Sequence, residues 1–266
     1  MKKILIISSL LFILISVRAQ INDSLQKNEK GITIGTWNIG HFSRGSVDHS
    51  TVSSLNYEKE LAQFRSFVND SLVVDVLCVN EYSDIFYHDR LNKHIWAETS
   101  LFGGFKEHRI FKQNKYVCNA IFSKVDLKNP KMCPFLYSDS VKAIRNNIDW
   151  FYYTWTDIIV GGKDVKLVCT HLINRAENLC QAQIEQLINA FDKYDRVIIC
   201  GDMNTVNFSK FVEMGYTLAN DGTLVTFPLR SDPLDNIIVK GLKISNVRVL
   251  KTNLSDHYPL VCKISL

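Results

Sequence analysis

The sequence predicts one layered α/β domain. From Gly31 onward, short apolar runs rich in β-branched residues alternate with two segments of helical period, and no repeat, linker or low-complexity run follows residue 30. Strands are expected at Ile32 to Trp37, Val74 to Val79, Tyr116 to Ser123, Ile148 to Val160, Val165 to Thr170, Val197 to Cys200, Asn236 to Val239 and Tyr258 to Ile264. Each is an apolar run bounded by polar or turn-forming residues. Tyr57, Leu61, Phe64 and Val68 recur at helical spacing, as do Leu179, Gln183, Ile184, Leu187, Ile188 and Phe191, so these two segments are read as helices. The aromatic stretch Trp150 to Trp155 suits either a binding platform or a strand buried on both faces, and the second reading is preferred.

The first residues have a different character. Met1-Lys2-Lys3 precedes an almost unbroken apolar run from Ile4 to Val17, and small residues at Val17 and Ala19 fit a signal-peptidase site. The run is shorter than the ~20 apolar residues of a spanning helix, and no cysteine follows directly that could carry a lipid. A secretory signal peptide over residues 1–19 is therefore expected, then a linker over 20–30 and the domain over 31–266. The mature protein would be secreted or periplasmic. Removing residues 1–19 from the 266 leaves 247, a length that suits one large domain. It also removes Lys2, Lys3 and Arg18 with no acid, lowering the formal net charge from +4 to +1. A near-neutral domain exerts no general pull on nucleic acid.

All 7 cysteines lie beyond residue 19, an odd number that leaves at least one unpaired within the chain. Cys78, Cys169, Cys200 and Cys262 sit inside apolar runs and read as core thiols. Cys118, Cys133 and Cys180 are the better disulfide candidates by position. No CxxC or HExxH pattern suggests zinc or redox chemistry.

Four strands end in polar clusters: Trp37-Asn38, Val79-Asn80-Glu81, Cys169-Thr170-His171 and Cys200-Gly201-Asp202-Met203-Asn204. Polar residues at the C-terminal ends of strands are well placed to converge on one side of a sheet. Singly, such residues more often form turns or caps. In order, Thr36-Trp37-Asn38-Ile39, Asn80-Glu81, Asn119 to Ser123, Thr170-His171-Leu172, Gly201-Asp202-Met203-Asn204, Thr226-Phe227-Pro228, Asp235 to Ile238 and Ser255-Asp256-His257-Tyr258-Pro259 resemble the motif series of the endonuclease/exonuclease/phosphatase family. DNase I, abasic-site endonucleases, neutral sphingomyelinases and inositol polyphosphate 5-phosphatases belong to it. The resemblance runs from Gly31 to the C-terminus. It implies a four-layered α/β sandwich of two packed mixed β-sheets flanked by helices.

The resemblance also implies a metal-dependent hydrolase acting on phosphoester bonds. Such chemistry needs an activated water, neutralised phosphoryl oxygens and help for the leaving oxygen. Glu81 is the first expected metal ligand, with Asn38 and Asp256 completing or bracketing the site, and oxygen donors of this kind suit Mg²⁺, Mn²⁺ or Ca²⁺. By the same resemblance Asp202 orients or deprotonates the attacking water, and Asn204 holds the phosphate or that nucleophile. His257, backed by Asp235, would be a charge stabiliser or acid, and His171 a second imidazole at the phosphate. Arg145 is read either as a guanidinium clamp or as a surface arginine.

Two departures stand out. The family commonly carries Gln before the metal-binding Glu, whereas Asn80 is one methylene shorter, which predicts a rearranged hydrogen-bond pattern. Residues 114–118 contain no acid to back His171 in the manner of DNase I, so its partner is left open. Thr170-His171-Leu172 also differs from the Tyr-Val-Pro-Asn of abasic-site repair enzymes. The substrate classes left open are a small phosphomonoester or phosphodiester, an extracellular nucleic acid, and a lipid headgroup as in sphingomyelinases. The loop His41 to His49 is placed beside the pocket and read as a solvated loop. A monomer is expected, and a silent binding module is disfavoured because none of the eight site positions is missing.

Overall fold

The computed structural model describes residues 31–40, 62–82, 105–112, 118–138, 142 and 151–266. The expected signal peptide, Arg145 and the loop His41 to His49 lie outside them. Two six-stranded sheets form the described domain. The first contains β1 (Ile32–Asn38), β2 (Val76–Asn80), β3 (Glu107–Lys112), β4 (Cys118–Ser123), β11 (Lys243–Val249) and β12 (Leu260–Ser265), in the order β11-β12-β1-β2-β4-β3. The second contains β5 (Lys128–Pro134), β6 (Tyr152–Val160), β7 (Lys163–His171), β8 (Val197–Asp202), β9 (Thr217–Leu218) and β10 (Asp235–Lys240), in the order β5-β6-β7-β8-β10-β9. Each sheet has one parallel pair, β1 with β2 and β7 with β8, within otherwise antiparallel ladders.

The central strands are apolar on both faces because both faces are covered, and their side chains sort with period two. Ile34, Val76, Cys78, Leu167, Cys169, Ile198 and Cys200 fill the layer between the sheets. Trp37, Leu77 and Val79 point the other way, onto Phe64, Val68 and Leu72. Val168, Val197 and Ile199 pack on Ile184, Leu187 and Phe191 of α1 (Glu177–Phe191). Helix, sheet, sheet and helix are the four layers that the motif resemblance implies. A short second helix, α2 (Ser209–Glu213), caps the α1 side through Phe211.

The aromatic stretch is core. Tyr152 is fully buried, while Tyr153 and Trp155 pack edge-on against Phe191. The first helical segment is α-helical over residues 62–66 and then widens to π geometry over Phe67–Leu72. β3, β5, β9 and β11 have no counterpart among the expected strands. β5 carries two prolines and is almost wholly exposed, which an edge strand tolerates because its outer N–H groups need no partner.

The disulfide expectation fails for Cys133 and Cys180, which are both free thiols. Cys180 is buried in α1, its thiol donates to the Met203 carbonyl at 3.2 Å, and burial pushes its pKa up to about 12. It behaves as a small core hydrophobe. The side chain of Cys118 lies outside the described residues.

Candidate active site

Strand register assembles the site. β7 and β8 run parallel with His171 beside Asp202, and β10 runs antiparallel with Asp235 beside the same Asp202. Directly paired residues share a face of the sheet with Cβ atoms ~5 Å apart. Asp202 therefore sits between the two polar groups that its neighbours end or begin with. In the other sheet β1 and β2 pair Asn38 with Asn80, which brings Glu81 to the same rim.

The strands approach closely here because Gly201 lacks a Cβ. A Cβ at Gly201 would lie 1.8 Å from the Thr170 carbonyl oxygen, and its φ of +149° suits glycine. Glu81 and Asn204 follow their strands at φ of 52° and 49°. That left-handed turn is mild for Asn and costly for Glu.

Asn80 joins the sheets. Its fully buried amide donates to Asn119 Oδ1 at 2.8 Å and to the Thr170 carbonyl at 2.9 Å, while its oxygen accepts the Asp202 backbone N–H at 2.9 Å. Asn119 in turn takes the Tyr152 hydroxyl as acceptor for its N–H at 2.8 Å. The chain's shorter amide thus spans between the sheets, a role that its position before Glu81 did not disclose. Asn119 was legible only as part of its motif.

Asp202 is buried and well held. It accepts from Asn38 Nδ2 at 3.0 Å and from the Asn204 backbone N–H at 3.0 Å, with His171 Nε2 at 3.4 Å and His257 Nε2 at 3.7 Å. Asn38 Nδ2 also reaches Glu81 Oε1 at 3.1 Å, and Asn38 Oδ1 accepts from the Gly40 N–H at 3.0 Å. In this geometry Asn38 ties two carboxylates together. Asn204 is fixed by donation to the Leu172 carbonyl at 2.9 Å. His171 finds its acids in Asp202 and, at 3.9 Å, Glu81, and its buried Nδ1 meets no partner among the described residues.

The second histidine belongs to a buried dyad. His257 Nδ1 lies 2.7 Å from Asp235 Oδ2, and the Asp235 N–H donates to Thr226 Oγ at 2.9 Å. Ser255 and Trp37 fix the histidine's backbone: Ser255 Oγ accepts its N–H at 3.1 Å and donates to the Asn38 carbonyl at 2.7 Å, and Trp37 Nε1 donates to its carbonyl at 2.9 Å. Burial opposes the charged imidazolium, yet the nearby Asp235 and Asp202 carboxylates outweigh it and push the His257 pKa up to about 10. Burial raises the Asp235 carboxyl, and the charge of His257 offsets this only in part. Asp202, Asp235 and His257 lie close enough to suggest a metal triad. Because the imidazole stands between the two carboxylates, with Nδ1 engaged by Asp235, the group reads better as an acid-histidine-acid arrangement.

Glu81, His171, Asp202, Asn204, Asp256 and His257 line an open cleft of about 680 Å³, together with Arg175, Glu177, Phe227, Arg230 and Asp232. All eight expected site residues are thus in one neighbourhood: Glu81, His171, Asp202, Asn204, Asp256 and His257 on the cleft wall, Asn38 buried against Glu81 and Asp202, and Asp235 behind His257. Arg175, Arg230 and Asp232 were not foreseen, since each stands in a loop with no pattern around it.

A family model described as "Endonuclease/Exonuclease/phosphatase family" matches residues 35–257. The chain belongs to this family. Among solved structures, a family protein from Bacteroides vulgatus superposes with TM-score 0.68 at 16% identity, over 90% of this chain and 100% of its own. D. rerio TDP2, solved with a single-strand DNA product, gives 0.62 at 12% identity over 90% and 100%. The human Nocturnin catalytic domain, solved with a bound sulfate anion, gives 0.59 at 16% over 88% and 94%. At these identities the likeness is one of fold. No curated protein matches the sequence. Hydrolases of the endonuclease/exonuclease/phosphatase family act on phosphoester bonds, and their dependence on divalent metal is general.

Proposed function

We propose that this protein is an exported, divalent-metal-dependent phosphoesterase that directs water at a phosphomonoester or phosphodiester through Asp202, Asn204, His171 and the Asp235–His257 dyad. The observation that carries the reading is the charge of the cleft. Glu81, Glu177, Asp202, Asp232 and Asp256 line it against Arg175 and Arg230, so a phosphate anion entering it meets net negative charge. Asp232 is paired with Arg230, and Glu177 accepts from Thr205 and Gln181. Asp202 lies beside the imidazoles of His171 and His257, and Glu81 lies 3.9 Å from His171.

The donor set fits a hard cation. Glu81 and Asp256 would hold it, and Asn38, in this geometry, would fix the Glu81 carboxylate through its amide rather than serve as a ligand. When bound, Mg²⁺ or Mn²⁺ supplies charge stabilisation for the phosphoryl oxygens. Asp202, held by Asn38 and the Asn204 N–H, accepts the proton of the attacking water. His257, kept protonated by Asp235, offers Nε2 to an oxygen that gains charge in the transition state. His171 donates from Nε2 to a second oxygen.

Purified protein stripped with EDTA should lose hydrolysis of bis-p-nitrophenyl phosphate or p-nitrophenyl phosphate and regain it with Mg²⁺ or Mn²⁺. Glu81→Gln should raise the metal concentration needed for half-maximal rate steeply. Full activity after exhaustive chelation would rule the reading out. Export is supported by the apolar run Ile4 to Val17, and N-terminal sequencing of the native protein tests it: a mature chain that begins at Met1 would exclude cleavage.

A further inference from the structure

The turn that precedes β10 is built around one arginine. Phe227 and Asp232 close it with a pair of backbone bonds, at 2.9 Å from the Phe227 N–H and 3.1 Å from the Asp232 N–H. Arg230 lies between them in sequence, and its Nε pairs with Asp232 Oδ2 at 2.8 Å while its guanidinium carbon sits 5.0 Å from the centre of the Phe227 ring. The Phe227 ring is itself 4.8 Å from the His257 ring. The guanidinium is therefore within about 10 Å of the catalytic imidazole, on the wall of the same cleft.

Two features separate this from an ordinary surface ion pair, which contributes little to stability. The planar group, although 56% exposed, is held through Nε by a carboxylate and lies over a ring, so less motion is left to lose when it binds than for a free side chain. Its two terminal nitrogens meet no partner among the described residues, and Arg230 pairs with none of Glu81, Asp202, Asp235 or Asp256. The terminal nitrogens thus stay available for an anion on the wall of the cleft that holds His257.

Resting on the phosphoesterase reading, we propose that Arg230 is a specificity residue and that the substrate is a small phosphoester with a second anionic group, a phosphate or carboxylate, within about 10 Å of the scissile phosphate. The fork accepts two oxygens of that group in parallel, the geometry that suits guanidinium and not ammonium. The near-neutral domain, +1 without residues 1–19, favours a single added anion over a long polyanion.

The test compares thymidine 5′-(p-nitrophenyl phosphate) with the same compound phosphorylated at its 3′ oxygen, in Mg²⁺, reading released p-nitrophenol. The wild type should prefer the doubly charged compound by roughly 10- to 100-fold in kcat/KM, mostly through KM, as a charge-assisted bidentate contact implies. Arg230→Gln should bring the ratio of the two substrates to about 1, and Arg230→Lys should recover only part of it. Equal rates on both compounds with the wild type would overturn the inference and leave the phosphoesterase reading intact, whereas hydrolysis of neither would count against that reading first. Extending the 3′ side to longer oligonucleotides should add nothing. A preference that keeps growing with length would replace the single subsite by a strand-binding groove.

Discussion

Asn80 is where sequence and structure part most clearly, and its removal has a calculable cost. Asn80→Ala deletes one carboxamide and strands three buried groups at once: the Thr170 carbonyl, Asn119 Oδ1 and the Asp202 N–H. A buried polar group left without its partner costs about 1–3 kcal/mol, so the three sum to roughly 3–5 kcal/mol if a water entering the vacated space recovers part of the loss. Domains of this kind hold a total of about 5–15 kcal/mol, and in this size range each kcal/mol moves Tm by about 2–4 °C. The expected shift is therefore roughly 6–20 °C downward. Urea unfolding of the metal-free proteins should show a lower midpoint with an unchanged slope. Turnover should fall as well, because Asp202 and Thr170-His171 lose their tie across the sheets. Asn80→Gln keeps the chemistry and adds a methylene to a fully buried site, which should cost about 1–3 kcal/mol. A loss below about 1 kcal/mol for Asn80→Ala, with kcat/KM unchanged, would refute the cross-sheet tie, since stranded buried groups cannot be that cheap.

The remaining predictions are shorter. His257→Ala should lower turnover by ~10²-fold or more, and adding Asp235→Asn should cost little further, because both act through one imidazole; a double mutant that loses the full product of the single effects would show two independent residues. His257 is charged at neutral pH with its pKa raised from 6.5 to about 10. Its contribution to stability is complete below pH 6.5 and is lost as pH rises through 10, so urea midpoints of metal-free protein should fall over that window more steeply than those of His257→Gln. Turnover of a small phosphoester should depend weakly on salt, in contrast to the slope of roughly −0.9 in log K per neutralised phosphate shown by proteins that grip nucleic acid, and an abasic duplex should be no better a substrate than an intact one. Strong incision at abasic sites would return the chain to the repair nucleases.

Much of this was legible in the sequence because strands covered on both faces are near-continuous apolar runs, and because a polar residue at the end of such a run has few bland explanations when eight clusters recur in order. The runs around Ile34, Val76, Val168 and Ile199 identified the central strands, and Asn38, Glu81, His171, Asp202, Asn204, Asp235, Asp256 and His257 all reach one neighbourhood. Edge strands were missed for the converse reason: β5 is exposed nearly throughout, so its sequence shows no apolar period to read. Cys133 and Cys180 were misjudged because spacing carries no information on which thiols meet in space. The chain's own pattern determined the α/β class and the central strands, since burial and period are local properties of a strand, and the resemblance of its ordered motifs implied the four layers and the chemical inventory of the site. Only the tertiary structure decided that Asn80 ties the sheets, that Asn38 holds two carboxylates together, and that Arg230 stands braced beside His257. Those roles depend on contacts across 43 or more positions, or on turns, where sequence distance says nothing of distance in space.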